Sequence, residues 1–318
     1  MKQADTNPFL YSDSNKRYHT YEYYLRHRFG GKCAKLPLDA GFTCPNIDGR
    51  CGFGGCIYCS DRGSGDFAPE ASLSVTEQIT RQKALFAKKW DVSRCIAYFQ
   101  AHTNTYAPLE ILKQKYEEAL RCDGIVGMNI ATRADCLPPD TVAYLAELAE
   151  RTVLTVELGL QSSNDQTAER INRGHDFATF CKGFAALRAR SPKIGISVHL
   201  IFGLPGESRE EMLQSVRDVA ALHPDQIKIH LLHVLRDTRL AELYTRGEYR
   251  PMERDAYIET VADALELLPA DIVVGRLTGD GAAASLLAPL WSLRKTTVIN
   301  DIDKLLYARG SYQGIRTS

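Results

Sequence analysis

Gly41–Ser60, GFTCPNIDGRCGFGGCIYCS, gathers four of the chain's nine cysteines into twenty residues and surrounds them with glycine. A stretch of this kind wraps a metal or a cluster, because thiolates are metal ligands and glycine lets the backbone approach and donate N–H groups to sulfur. Cys56 and Cys59 form a C-x-x-C pair whose thiolates reach one centre, and a further ligand comes from Cys44 upstream or Cys51 between. Cys44, Cys56 and Cys59 alone would hold three irons of a [4Fe–4S] cluster and leave the fourth open to a small molecule. With Cys51 added, the loop would close around a cluster or a zinc ion and become structural. The spacing favours the open cluster. A zinc ribbon needs a second C-x-x-C or a Cys/His pair, and the next cysteines, Cys95, Cys122, Cys136 and Cys181, stand singly.

The surrounding chain suits such a site. Its 318 residues fit one α/β barrel-type unit with appendages, and 44% hydrophobic content is ample for a core. Lysine plus arginine equals aspartate plus glutamate at 39 each, so any contact with a polyanion must come from a local basic surface. No apolar run is long enough to span a bilayer, and the start lacks the apolar core of a signal peptide. An odd number of cysteines in a chain of this size argues against a secreted disulfide scaffold, so a cytoplasmic protein is expected.

Downstream of the cysteines the chain alternates strand and helix, the pattern of a parallel sheet. Strands are expected at Leu36–Leu38, Cys95–Gln100, Gly127–Ala131, Val153–Leu158, Gly195–Ile201 and Gln226–Leu231. Helices are expected at Ser74–Lys89, Leu109–Arg121, Pro139–Glu150, Phe177–Arg190, Ser208–Leu222, Tyr257–Leu267 and Thr297–Arg309. Upstream, Asn15–Lys35 interleaves tyrosines with Lys16, Arg17, Arg26, Arg28 and Lys32. Tyr18, Tyr21, Tyr24 and Leu25 at helical spacing read as an amphipathic helix packed on the barrel, with a basic face that can remain outside to meet RNA. His230 and His233 have no third ligand beside them and read as core or rim histidines.

The Cys44-x11-Cys56-x2-Cys59 spacing, with Tyr58 just before the last cysteine, resembles the YhcC/YtqA-type branch of the radical S-adenosylmethionine (SAM) enzymes, related to the radical-SAM subunit of Elongator. The resemblance runs through DAGFTCPN, YFQAHTNTY, ATRADCLP, VELGLQSSND, IFGLPGE, HLLHVLRDTRLAELY, LTGDG and APLWSLRK in one order. It implies a partial (β/α)6 TIM-like barrel of the radical SAM type, residues 36–268, with an N-terminal basic and aromatic extension over 1–35 and a C-terminal capping segment over 269–318. It also implies a [4Fe–4S] cluster on Cys44, Cys56 and Cys59, with Cys51 an extra residue, and SAM on the open iron as source of a 5′-deoxyadenosyl radical.

Barrel chemistry sits on the loops at the carboxyl ends of the strands. Tyr58, Gln100, Thr103, Asn104, Glu157, Gln161, Ile201 and Gly203 are by resemblance the SAM contacts, and Arg133 at the barrel mouth suits a carboxylate. Glu207 and Ser208 read as helix caps. Arg276, Thr278 and Asp280, in the segment that closes the open side, are candidates for substrate contact or turn formation. The substrate that the kinship suggests is the carbon-5 side chain of the tRNA wobble uridine, 5-carboxymethylaminomethyl becoming 5-aminomethyl. Lys16, Arg17, Arg26, Arg28, Lys32, Arg294 and Lys295 would then face tRNA, and flavodoxin or ferredoxin would supply electrons. The alternatives are a protein or small-metabolite substrate, or a cluster-binding protein without turnover.

Overall fold

Seven short runs rich in Val, Ile and Leu carry the architecture, each flanked by a helix with one apolar face, so that burying both sides of every strand favours parallel pairing. The computed structural model describes residues 7–63, 65–279, 281 and 283–317. In it β1 (Ala34–Leu38), β2 (Cys95–Phe99), β3 (Ile125–Thr132), β4 (Val153–Gln161), β5 (Gly195–Phe202), β6 (Gln226–Leu231) and β8 (Val273–Arg276) pair in that order, all parallel. A two-stranded antiparallel ribbon, β7 (Val234–Leu235) with β9 (Leu286–Ala288), follows the carboxyl end of β6. The outer strands β1 and β8 are the sheet's two ends, so the barrel is open along one side.

The helices are α1 (Tyr21–Phe29), α2 (Val75–Phe86), α3 (Leu109–Leu120), α4 (Pro139–Arg151), α5 (Asp165–Arg170), α6 (Phe177–Arg190), α7 (Arg209–Leu222), α8 (Arg239–Thr245), α9 (Arg254–Glu266) and α10 (Lys295–Ala308). Alternate residues of the strands, Leu36, Leu38, Ala97, Phe99, Leu154, Val156, Leu158, Ile196, Val198, Ile227 and Ile229 among them, face these helices and are buried. The intervening residues face the barrel interior, the period-two consequence of a pleated strand.

The half-barrel is the expected fold, with one strand more than the six expected. β8 is four residues long and ends in Gly-Arg, which breaks the apolar run by which strands are recognised. Of the basic and tyrosine-rich N-terminal stretch only Tyr21–Phe29 forms α1, with Tyr18 before the helix; α1 is capped by Thr20, whose hydroxyl accepts from the Tyr23 N–H at 3.1 Å. Just before it, the Val274 N–H donates to the His19 carbonyl at 2.7 Å, so this segment joins the free edge of β8. Tyr18 and Leu25 are buried against the barrel.

At the β5–α7 junction the expected pair of caps separates into two roles. Ser208 caps α7 reciprocally with Glu211. Glu207 turns inward instead, where its carboxylate accepts from Ser162 Oγ at 2.5 Å. Burial raises its pKa from 4.5 to about 7. The folded chain therefore binds this proton more tightly than the unfolded chain, so the stability it contributes is complete below 4.5 and is lost as pH rises through 7. A tenfold difference in proton affinity is worth about 1.4 kcal/mol, so the loss is at most about 3.5 kcal/mol. Melting temperatures of the anaerobic holoprotein are expected to fall between pH 5 and pH 8, and Glu207→Gln to flatten that limb; an unchanged slope in the variant refutes the assignment.

Candidate active site

One cavity of about 1130 Å³ occupies the barrel interior and reaches its mouth. Cys44, Cys56 and Cys59 lie on its wall, whereas Cys51 is exposed and its Sγ rests 3.5 Å from Arg133 Nη2. The loop between them is turned by Gly54 and Gly55, both left-handed at φ 71° and 70°. It is anchored from beneath: the Ile57 N–H donates to Ile171 O at 3.1 Å and the Leu240 N–H to Ile57 O at 2.8 Å. Ile57 joins Ile171, Leu204, Leu232, Val234, Leu240 and Tyr249 in a second apolar cluster. Asn46, fully buried, spans the loop with its Nδ2 3.7 Å from Cys56 Sγ and ties it to the turn after α5 by donating to Asn172 O at 2.5 Å. Gly52 cannot carry a side chain here, since a Cβ would stand 2.1 Å from Asn46 Oδ1.

The thiols fit an iron–sulfur cluster. The Cys56 thiol is pushed well down, chiefly by a hydrogen bond from Cys59 and then by the nearby Arg173, while sharing that hydrogen bond pushes Cys59 up. Among the described residues no three His, Cys, Asp or Glu side chains converge as ligands of a single ion. Cys44, Cys56 and Cys59 nevertheless share one wall of the cavity, as ligands of one cluster must. Tyr58 packs beside them on the cavity wall.

Above the strands, Gln100, Thr103, Gln161 and Ile201 also line the cavity. Gln161 adopts φ 78° at a register shift that ends β4, a conformation costly for a residue with a side chain and one that concentrates at functional sites. Asn104 does not join them: its amide donates to Phe99 O at 3.1 Å, Ala101 O at 3.0 Å and Ala131 O at 2.9 Å, fastening the exit of β2 to β3. Gly203 is buried behind the wall, its N–H 3.2 Å from Met212 Sδ and its carbonyl accepting from Tyr249 Oη at 2.8 Å. Arg133 lies on the wall, but its fork already grips Asp135 at 2.8 and 2.7 Å and Nη1 donates to Arg173 O at 2.9 Å.

Deeper in the barrel lies a layer of polar residues. Glu157 is fully buried, and both its oxygens are occupied: Oε1 accepts from Lys35 Nζ and Asn129 Nδ2, each at 2.6 Å, while Oε2 meets His199 Nε2 at 3.0 Å and Lys228 Nζ. Burial alone would raise the Glu157 carboxyl, but Lys228 and Lys35 outweigh it and hold it well below the usual range. Burial pushes Lys228 well down, since Glu157 is shared with a second lysine, and pushes His199 down to about 4. Tyr98 lies beneath both ammonium groups, its ring centre 3.7 Å from Lys35 Nζ and 4.9 Å from Lys228 Nζ. Among the members of this layer, Lys35, Tyr98, Asn129 and Lys228 escaped the sequence reading, which also left His199 without a role. Their signal was a lone polar residue at an inward position of an otherwise apolar parallel strand.

The expected tRNA-facing cations are divided. Lys16 pairs with Asp303, Arg17 is buried with its guanidinium 5.1 Å from the Tyr307 ring centre, and Arg26 pairs with Asp13 and Glu22, both at 2.7 Å. Arg28 lies at the amino-terminal pole, opposite the mouth. Lys32, Lys295 and Arg276 border the large cavity, Arg294 is exposed and Thr278 is buried. Asp280 lies outside the described residues. Among the described residues no helix is long and apolar enough to cross a membrane.

A family model described as Radical SAM superfamily matches residues 46–219, and one described as Radical_SAM C-terminal domain matches residues 224–308. The chain is 47% identical to the protein YtqA of Bacillus subtilis over 97% of its own length and 95% of that protein's. It is 36% identical to the protein YhcC of Escherichia coli over 90% and 91%. The tRNA uridine(34) acetyltransferase of Methanocaldococcus jannaschii is 28% identical over 60% of this chain and 34% of its own. Among solved structures, the archaeal Elp3 of Methanocaldococcus infernus shares the fold with a TM-score of 0.68 at 18% identity, covering 88% of this chain and 64% of that one.

Proposed function

The chain belongs to the radical SAM superfamily, and from that premise we propose that it acts on the wobble uridine of tRNA, converting 5-carboxymethylaminomethyluridine to 5-aminomethyluridine. Enzymes of this superfamily use a [4Fe–4S] cluster and SAM and require an electron donor, here of the flavodoxin or ferredoxin kind. Together the two cofactors would supply a 5′-deoxyadenosyl radical that takes a hydrogen atom from the N–CH2 carbon of the carboxymethyl group. Loss of one further electron to the one-electron carrier would give an imine, and its hydrolysis would break the C–N bond, release glyoxylate and leave the 5-aminomethyl amine. The chain binds and orients them and excludes water.

Cys44, Cys56 and Cys59 would hold the cluster. Tyr58, Gln100, Thr103, Gln161 and Ile201 form the wall against which SAM would lie. Arg133, locked to Asp135, supports the loop through the Arg173 carbonyl and contributes a positive field at the cysteines. Glu157 organises the barrel floor in place of the ribose contact expected from sequence, since its oxygens are already occupied. Lys32, Lys295 and Arg294, at the cavity and the C-terminal segment, are the cations this reading assigns to RNA.

The observation that supports tRNA as substrate is the likeness to the tRNA uridine(34) acetyltransferase, which runs over 60% of this chain. Mass spectrometry of tRNA nucleosides decides it. A strain lacking this protein is expected to accumulate 5-carboxymethylaminomethyluridine and lose 5-aminomethyluridine, and the purified enzyme with SAM and reductant to convert one to the other. Affinity for tRNA should fall steeply with salt because phosphate contacts release counterions. An unchanged nucleoside profile rules the reading out and turns the search to a protein or metabolite.

A further inference from the structure

We propose that the floor of the barrel is a carboxylate-binding subsite, in which Lys35, Lys228 and His230 receive the anionic end of the substrate. Charge is the first indication. Lys35 and Lys228 both bind the Glu157 carboxylate, and no other acid joins them at that point among the described residues. Two ammonium groups share this one carboxylate, and Arg276, paired with Lys228 in the β6–β8 register, lines the same cavity, so cationic groups outnumber acids on the floor, inside a barrel where an uncompensated charge is strongly unfavourable. His199 does not change the balance, because burial keeps its imidazole neutral. An anion entering here would offset the excess.

The donors for such an anion are in place. An ammonium has three N–H donors, and the described hydrogen bonds take one of Lys35, to Glu157, and two of Lys228, to Glu157 and to Tyr98 Oη at 3.5 Å. His230 is two residues beyond Lys228 on the same inward face of β6, hence one step nearer the mouth. Its Nε2 is buried without a hydrogen-bond partner among the described residues, and its ring centre is 5.2 Å from that of His199. A buried imidazole nitrogen without a partner is costly, and a carboxylate oxygen above the two lysines would relieve it. All three side chains line the cavity that also bears Cys44, Cys56 and Cys59. Glu157 lies four residues before Gln161, about 13 Å deeper along the strand. The floor is thus separate from the mouth, where Gln161 and the cysteines lie.

A carboxylate suits the donors by shape: one oxygen would face the two lysines and the other His230 Nε2. The identity of the molecule that carries it rests on the tRNA reading, in which the carboxymethyl terminus of the uridine side chain is the group that enters; the subsite itself does not depend on it.

The test uses anaerobic holoenzyme with SAM and two kinds of probe. N-methylglycine labelled with 13C at its carboxylate is titrated and its line broadening followed, against N-methylglycinamide and inorganic phosphate. Saturable binding of the acid, at least about tenfold tighter than the amide, is expected from a desolvated charged contact. Lys228→Met is expected to lose it and Lys228→Arg to retain part. Lys228→Met leaves Glu157 with Lys35, Asn129 and His199, and iron content and melting temperature report that it has folded. Should it not fold, the acid-against-amide comparison in the wild-type protein decides without it. In the second arm, an anticodon stem-loop bearing 5-carboxymethylaminomethyluridine is compared with its neutral carboxamide, which is expected to lose about tenfold or more in kcat/KM. Equal binding of acid and amide, or stronger binding of phosphate, overturns the subsite. Saturable binding of N-methylglycine with no conversion of the stem-loop upholds the subsite and overturns tRNA as the substrate.

Discussion

Cys56→Ala is expected to abolish formation of 5′-deoxyadenosine from SAM and dithionite, a fall to background of at least about a thousandfold, because the cofactor carries the chemistry and side chains cannot replace it. Cys56 is the most deeply placed of the three thiols on the cavity wall, 7% exposed, and the one to which both Cys59 and Asn46 are directed. Its loss should remove bound iron as well as activity. Cys51→Ala is the contrasting variant. Cys51 is exposed, off the wall, and adjacent to Arg133, so the variant should retain its iron and its 5′-deoxyadenosine formation within about twofold, the ordinary range for a surface change. If Cys51→Ala loses iron in step with Cys56→Ala, four cysteines close the cluster and no iron is left for SAM. Iron content and the yield of 5′-deoxyadenosine, measured side by side on both variants, separate these cases.

The cysteine loop was readable because its chemistry is local: C-x-x-C and glycine act over a few residues, and the partner Cys44 lies only twelve positions before Cys56. The strands of the half-barrel were readable for a related reason, since Val, Ile and Leu runs of five to nine residues recur between helices with clear caps, such as Ser74 and Ser208. The barrel floor was not. Lys35 and Glu157 are separated by 122 residues, and Glu157 and Lys228 by 71. Nothing in either neighbourhood names the other, and only the parallel register brings both lysines to the same carboxylate. The remaining signal is the misfit itself, a lysine at an inward position in AKLPL and another in QIKIHL, where a buried parallel strand would be apolar throughout. The same loss of long-range information explains the N-terminal cations. Lys16 and Arg17 read as a basic rim in sequence, whereas their partners Asp303 and Tyr307 come from α10, at the other end of the chain.

Glu157→Gln is expected to destabilise the fold by about 3–5 kcal/mol, the cost of leaving buried charges without their counter-ion. Both lysines depend on this one carboxylate, and a neutral amide cannot serve two ammonium groups. The effect should appear as a fall of roughly 5–10 °C in the melting temperature of the anaerobic holoprotein. Removing one of the stranded cations should restore much of the loss: Glu157→Gln with Lys228→Met is expected to be more stable than Glu157→Gln alone, with a coupling of at least about 1.5 kcal/mol, as neighbours in one ionic network show. The dependence on pH has a definite sign. Lys228 and Lys35 hold the folded-state pKa of Glu157 below its ordinary value of 4.5, so its contribution is present above that value and is lost as pH falls through the folded pKa. Glu207 acts in the opposite direction, losing its contribution as pH rises through about 7. Wild-type stability should therefore decline on both sides of the weakly acidic range, with Glu157→Gln flattening the acid limb and Glu207→Gln the neutral one. A Glu157→Gln protein as stable as wild type, or one that Lys228→Met does not rescue, would show that the lysines are not held as charged groups by this carboxylate. The surplus positive charge that makes the barrel floor a seat for a carboxylate would then be absent.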